Sequence, residues 1–146
     1  MNTYDTDVVA WAVRQAQLLR ERRFEELDIE NIAEEIEDVG KSEQRELASR
    51  MAVLLAHLLK WQYQPERRGK SWQGTITLQR RLIQRRLART PSFRPMISDP
   101  EWQEEMWGDG RLQATNETGL VDLPEACPWS FQDVLADGWL PKDITR

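Results

Sequence analysis

Apolar residues recur at helical spacing from Ile29 to Trp61, and this pattern predicts one long helix from about Asp28 to Gln64. Pro65 cannot continue a helix, so the helix must end before it. Asp28 is a suitable N-cap at the other end. The predicted core face carries nine apolar residues: Ile29, Ile32, Ala33, Ile36, Leu47, Met51, Leu54, Leu58 and Trp61.

Gly40 lies inside the predicted long helix, on its apolar face. We expect the helix to continue through it, straight or bent, because an internal glycine costs only about 1 kcal/mol. A break is one alternative, and close approach of another helix backbone is the other.

Shorter helical patterns flank the long helix. They cover residues 5–20, 71–89 and 99–119, with a further short piece at 130–136. Asp5 or Thr6 would cap the first helix, and Ser71 the third. Asp99 before Pro100 starts the fourth helix, and Gly119 is suited to end it. The fold class is therefore all-α: an antiparallel helical bundle built on the long helix, in a single domain of residues 1–146. Residues 1–119 form the bundle, and 120–146 an irregular tail packed on it.

The flanking segments also have expected core residues. The first helix has an apolar stripe of Val8, Trp11, Ala12 and Leu19, and the connection after it has Phe24 and Leu27 as core plugs. Trp72, Ile76, Ile83 and Leu87 form the corresponding face of the third helix.

Composition narrows the functional classes. The net charge of −5 gives no overall attraction to nucleic acid or anionic lipid. The single Cys127 excludes an internal disulfide framework and is typical of a reducing compartment. No apolar run has the length of a membrane span, and the N-terminal residues lack a signal-peptide pattern. We therefore expect a cytoplasmic protein with no membrane association.

Charge is segregated along the chain. Ten acidic residues lie between Glu25 and Glu46, against Lys41 and Arg45. Nine basic residues lie between Pro65 and Pro95, against Glu66 alone. Two interpretations remain open: mutual attraction of two neighbouring helices, or a bipolar surface that binds an acidic partner or another copy head to tail.

A file of polar residues lies at the edge of the apolar face of the long helix: Glu43, Arg50, His57 and Gln64. Arg80 falls between Ile76 and Ile83 on the third helix, so it also faces inward. Because buried polar groups need partners, we predict that Arg80 meets a carboxylate, Glu43 first and Glu46 second. The file is either a core network that sets helix register or a functional groove between the two helices.

His57 is the only histidine, and a lone histidine at an interface is more often a hydrogen-bonded structural residue than a catalyst. It could act as a general base if Glu43 or Asp38 oriented it. No serine or cysteine completes a nucleophilic group, so catalytic residues stay unknown and the sequence favours a protein without enzymatic activity.

The acidic run around Glu34, Glu35 and Asp38 raises the possibility of magnesium. Helical nucleotide pyrophosphohydrolases use such a helix together with a second acidic helix. The helices that could face the acidic run here are basic. The remaining acidic residues that could supply the second half of a metal site are Glu101, Glu104 and Glu105. A solvated acidic face is the simpler interpretation, so no cofactor is expected.

Two basic surfaces are candidates for binding. Arg67, Arg68, Lys70 and Trp72 lie at the end of the groove and could bind a macromolecule. Arg81, Arg85 and Arg89 project from the third helix and could contact phosphates, with Trp72 for base stacking. The acidic net charge and the absence of a helix-turn-helix pattern disfavour nucleic acid.

Motifs along nearly the whole chain resemble a bacterial family, abundant in cyanobacteria, that is known as domain of unknown function number twenty-nine. They are Tyr4–Asp7 with Trp11, Gln15 and Leu18–Arg20; Ile32 with Glu34–Gly40; Leu54–Arg68; Ser71, Trp72, Thr75, Ile76, Gln79 and Arg80; Pro91 and Ser92; Glu117–Leu120; and Cys127 with Pro128. The resemblance implies a single all-helical domain and no established activity. Where the family tends to have an alanine-rich helix, this chain has Gly108 and Gly110, so an interrupted fourth helix is an alternative.

The sequence thus favours a helical interaction module that binds a macromolecular partner or itself. The alternatives are a divalent-metal-dependent enzyme acting on a phosphorylated small molecule, and nucleic-acid binding through the third helix.

Overall fold

Helices make up the regular structure of the chain. The computed structural model describes residues 3–144, which contain no strand. The six α-helices are α1 (Val8–Arg20), α2 (Ile29–Tyr63), α3 (Lys70–Arg89), α4 (Arg94–Ile97), α5 (Pro100–Thr118) and α6 (Phe131–Leu135), with 3₁₀ turns at Phe24–Glu26, Pro65–Arg67 and Pro91–Phe93. The all-α fold built on one long helix is confirmed.

The chain divides by its internal contacts into two compact units, Met1–Glu43 and Gln44–Arg146. The first holds α1 and the beginning of α2. The second holds the remainder of α2, the helices after it and the tail. That residues 1–146 form a single domain stays a prediction.

The core of the second unit forms around α2. Leu47, Met51, Leu54, Leu58 and Trp61 are buried there, as their helical spacing predicts. They join residues of the later helices and of the tail in one cluster: Ile76, Ile83, Met106, Trp107, Ala114, Leu123, Phe131 and Val134. Each large apolar side chain removed from water contributes about 1.5–3 kcal/mol, so this cluster is the main source of stability in the second unit.

The first unit corrects the predicted apolar stripe of α1. Its buried residues are Trp11, Gln15 and Leu18, whereas Ala12 is exposed and Val8 and Leu19 are nearly half exposed. The helix begins one residue after Asp7, whose carboxylate accepts a hydrogen bond from the backbone N–H of Ala10. The predicted caps Asp5 and Thr6 are therefore wrong.

Two hydrogen bonds explain why the side of α1 that carries Trp11 and Gln15 is the buried one. The indole N–H of Trp11 donates to the Asp28 carboxylate at 2.9 Å, and the backbone N–H of Asp28 donates to the Gln15 side chain at 2.9 Å. Both bonds turn the Trp11 and Gln15 side of α1 inward, because a buried indole N–H needs an acceptor.

Other apolar positions expected in the core are exposed. Ile29, Ile36 and Phe24 each expose more than half of their surface, and Ala33 is exposed as well. The pattern of α2 therefore predicts its core face correctly only from Leu47 onward.

The glycines within helices do not interrupt them. Both α2 and α5 are continuous, so a break at Gly40 and an interrupted fourth helix are wrong. No neighbour lies within 4 Å of where a Cβ on Gly40 would be, but one on Gly110 would lie 2.7 Å from the Leu55 Cβ and 3.2 Å from the Ala52 carbonyl oxygen. The close helix approach considered for Gly40 occurs at Gly110 instead.

The helix ends mostly follow their local chemistry. Asp99 caps α5 by accepting from the Glu101 N–H, Gly119 ends it with φ +78°, and Ser130 caps α6. Helix α3 begins at Lys70 after an extended Gly69 that makes no side-chain cap, so Ser71 is not its N-cap.

Candidate functional site

A small groove between α2 and α3 in the second unit concentrates guanidinium groups. We call it the arginine groove; its lining residues are Glu46, Arg50, Leu82, Arg85, Arg86 and Arg89. Glu46 and Arg50 are one turn apart on α2. The other three arginines lie on α3, where Leu82 supplies an apolar edge. The groove has a volume of about 140 Å³.

Glu46 is the carboxylate that lines the arginine groove. It accepts from Arg50 at 3.1 Å and from Arg86 at 2.8 Å. The hydrogen bond from Arg50, with the positive charge of Arg86, holds the pKa of Glu46 below its usual range. Within residues 3–144, Arg85 and Arg89 form no ion pair. The groove therefore retains positive charge after Glu46 has been paired.

Arg80 is buried as its position predicts, but its predicted partner is wrong. Its guanidinium donates to the carbonyl oxygens of Val134, at 2.8 Å, and Trp139. Only 3% of the residue is exposed, and this burial lowers its pKa. In place of the predicted carboxylate, the tail occupies the space next to Arg80 and supplies two backbone acceptors.

Arg80 is one of several side chains that hold the tail. The Gln84 side-chain amide donates to the Leu135 carbonyl at 2.7 Å, and that of Gln62 donates to the Lys142 carbonyl at 2.8 Å. Arg68 pairs with Asp143 at 2.7 Å. Residues 120–144 are therefore attached to the helices of the second unit by side chains that satisfy the backbone of an irregular segment.

His57 is half-buried, and its ring is held by its own helix. Nδ1 donates to the Val53 carbonyl at 2.9 Å, so a backbone carbonyl orients the ring, and the predicted general-base arrangement with an orienting carboxylate is wrong. Desolvation lowers its pKa. Lys60 and Glu117 are the charged groups that act on it electrostatically, and these two form an ion pair of 2.6 Å.

The polar file on α2 is thus divided by the structure. Glu43 is half-buried and belongs to the first unit, Arg50 lines the arginine groove, His57 lies near the Lys60–Glu117 pair, and Gln64 follows the end of α2. Within the second unit, Arg50, His57 and Arg80 contact different partners and do not form one network.

The predicted docking surface is only partly available. Arg68 donates to the Trp61 carbonyl at 2.6 Å, lies over the Trp61 ring and pairs with the tail. Trp72 is half-buried beneath the Lys60 ammonium, 5.4 Å from the ring centroid. Arg67 and Lys70 are exposed. Two of the four residues therefore have structural contacts.

The acidic run lies in the first unit. Glu35 accepts a hydrogen bond from the Tyr4 hydroxyl at 2.7 Å, and this bond is the main reason that the pKa of Tyr4 rises to about 12. Glu34 and Asp38 are exposed. Among residues 3–144, no three His, Cys, Asp or Glu side chains are grouped as a metal site would require. The remaining acidic candidates Glu101, Glu104 and Glu105 are exposed on α5.

Sequence reasoning missed two residues of these sites. Arg86 pairs with Glu46, although the sequence marks it only as one of nine bases, and the buried Lys60 pairs with Glu117 on α5. Glu46 also pairs with Arg50, and their spacing of four residues on one helix is a signal in the sequence from which this ion pair could be predicted. The partner of Lys60 is 57 residues away, and no local pattern predicts it.

The fold and the groove define a class: an all-helical protein with a small cationic groove between two helices. The chain belongs to the family described as Domain of unknown function DUF29, which matches residues 3–140. No curated protein and no solved structure matches the chain significantly. In the part of the chain that the structure describes, no helix has the length and apolarity needed to cross a membrane.

Proposed function

We propose that this protein is a helical interaction module whose arginine groove binds an acidic segment of a protein partner. The observation that carries the proposal is the lining of the groove, in which four arginines surround one carboxylate. Carboxylates match the planar fork of a guanidinium, which donates two parallel hydrogen bonds to them.

The size of the groove fits a side chain rather than a small molecule. Ligand pockets for drug-sized molecules usually begin at about 300 Å³, and this groove has about 140 Å³. Glu46 already shows how a carboxylate is held there, by Arg50 and Arg86. An additional glutamate or aspartate would pair with Arg85 and Arg89, which are both exposed.

The spacing of these two arginines matches an acidic peptide, and the net charge of the protein disfavours a nucleic acid. Arg85 and Arg89 are four residues apart on one helix, so their Cβ atoms are about 6 Å apart. Two acidic side chains one helical turn apart have the same separation. A nucleic acid gains affinity from many phosphate contacts along a basic stripe, and the net charge of −5 opposes a long polyanion.

Binding of a fluorescently labelled peptide with two glutamates at i and i+4 tests the proposal by fluorescence anisotropy at low salt. We expect Arg85→Gln with Arg89→Gln to weaken binding about tenfold, because each exposed charge pair contributes up to about 1 kcal/mol. Arg81→Gln is the matched control, since Arg81 is exposed on the same helix and does not line the groove.

The alternatives have their own outcomes in the same assay. A peptide with glutamine in place of glutamate should not bind, and equal binding of both peptides would contradict the proposal. Binding of a single-stranded oligonucleotide without binding of the peptide would favour the nucleic-acid alternative. Sedimentation shows whether the partner is a second copy: a dimer that dissociates in the Arg85→Gln, Arg89→Gln variant would have the arginine groove at its interface.

A further inference from the structure

A second and larger cavity lies away from the arginine groove, between the beginning of α5 and the tail. We call it the aromatic cleft; it has a volume of about 420 Å³. The lining residues that matter here are Glu104, Trp107, Glu125, Cys127, Trp129 and Phe131. Its size is within the range of small-molecule sites, which are mostly apolar with a few polar groups.

The aromatic wall of the cleft is fixed by contacts of its residues with one another and with neighbouring residues of the tail. Trp107 and Trp129 pack edge to face with ring centroids 5.4 Å apart, and Trp129 packs on Trp139 at 5.7 Å. The Trp107 indole N–H donates to the Pro124 carbonyl at 3.0 Å. These contacts hold the rings in place without a ligand, so binding would cost little ordering of the aromatic side chains.

The charged residues that line the cleft are both acidic. Glu104 is on α5 and Glu125 is on the tail, and both are exposed. The Cys127 thiol donates to the Trp129 carbonyl at 3.2 Å, and burial raises its pKa, so it is a neutral thiol at pH 7. The cleft therefore combines two carboxylates with aromatic side chains.

We propose that the aromatic cleft binds a small organic cation, an amine or a guanidine with an apolar portion. Its positive group would lie between Glu104 and Glu125, and its apolar portion would lie on Trp129 and Phe131. Cations are attracted both by carboxylates and by aromatic ring faces, whereas an anion would meet two like charges. This ligand is opposite in charge to the one proposed for the arginine groove.

Alkylation of Cys127 by iodoacetamide provides the test, because it is the only cysteine of the chain. The probes are 2-phenylethylamine, the neutral 2-phenylethanol and the anionic 3-phenylpropanoate, which share a ring and differ in charge. We expect the amine to slow alkylation of the intact protein at pH 8 at lower concentrations than the alcohol, and the anion to have no effect. Equal protection by the amine and the alcohol would overturn the proposal, as would no protection by the amine at millimolar concentration.

Variants test the roles of the two carboxylates. Glu104→Gln with Glu125→Gln should raise the amine concentration for half-maximal protection about fivefold and leave that of the alcohol unchanged. Glu105→Gln is the matched control on the same helix, because Glu105 does not line the cleft. Rates are compared with each variant's own unliganded rate, and an unchanged amine concentration in the double variant would overturn the proposal. Acidic-peptide binding by the arginine groove should be the same in all three proteins.

Discussion

Two buried cations, Lys60 and Arg80, use different kinds of acceptor. Lys60 pairs with the Glu117 carboxylate and lies over Trp72, whereas Arg80 donates to two backbone carbonyls of the tail. A guanidinium can satisfy separate carbonyls with its fork of donors, and an ammonium acts as a compact charge. Charge alone would have assigned a carboxylate to both residues, and for Arg80 that prediction is wrong.

Two titratable groups near Lys60 should make stability depend on pH. Burial lowers the pKa of His57 from its ordinary 6.5, and the hydrogen bond from Lys60 lowers that of Glu117 from its ordinary 4.5. Both contributions to the free energy of unfolding are therefore present above the ordinary pKa and are lost as the pH falls through the lower folded value. We expect urea midpoints to decrease in two stages, one below about pH 6.5 and one below about pH 4.5.

Variants assign each stage to its residue. His57→Gln should remove the first stage, and Glu117→Gln should reduce the second, to which Glu46 also contributes. Glu105→Gln should keep both stages unchanged. Because 42% of the Glu117 side chain is exposed, solvent screens the pair, and Glu117→Gln should cost only about 1–2 kcal/mol at pH 7. A midpoint that does not change between pH 7 and pH 4 would contradict this account.

At the scale of the element, two glycines of α5 differ in what surrounds them. Gly110 permits close approach of α5 to α2, because a Cβ there would meet Leu55 and the Ala52 carbonyl. No neighbouring atom lies within 4 Å of the position that a Cβ on Gly108 would take. Identical residues two positions apart thus differ because only one side of the helix faces α2.

Alanine substitutions at these two positions should change stability in opposite directions. Gly110→Ala should lower the free energy of unfolding by about 1–3 kcal/mol, since the backbone of α2 cannot move aside without disturbing the core. Gly108→Ala should raise it by about 0.5–1 kcal/mol through higher helix propensity. Chemical denaturation of both variants measures this, and a stabilised Gly110→Ala would show that the two helices can separate at little cost.

At the scale of the whole molecule, α2 belongs to two units with unequal cores. All its buried residues lie from Leu47 to Trp61, and its first half has none. Hydrogen bonds within the helix continue through both halves, but burial protects only the second. The stability of a long helix in water comes mainly from the packing of its apolar face.

Hydrogen exchange should therefore differ along this single helix. We expect the amides of residues 51–61 to exchange only by opening of the second unit, and those of residues 33–43 to exchange at least about tenfold faster. Mass spectrometry of overlapping peptides measures both segments in one experiment. Equal protection along α2 would contradict the unequal contribution of burial.

Local chemistry by itself determined where α2 ends and where α5 begins and ends. Pro65 ends α2, Asp99 and Pro100 begin α5, Gly119 ends it, and the periodicity from Leu47 onward predicts the buried face. These features depend on residues within about one helical turn of each other, so a sequence pattern contains them.

Only the tertiary structure decided the partners of the polar groups. Arg80 and its acceptors are more than 50 residues apart, as are Lys60 and Glu117, and the arginine groove requires α2 and α3 to lie side by side. The exposure of Ile29 and Ile36 was decided in the same way, because an apolar face is buried only where another element covers it. Hydrogen bonding and burial depend on distances in space, and residues far apart in the chain have no pattern that states those distances.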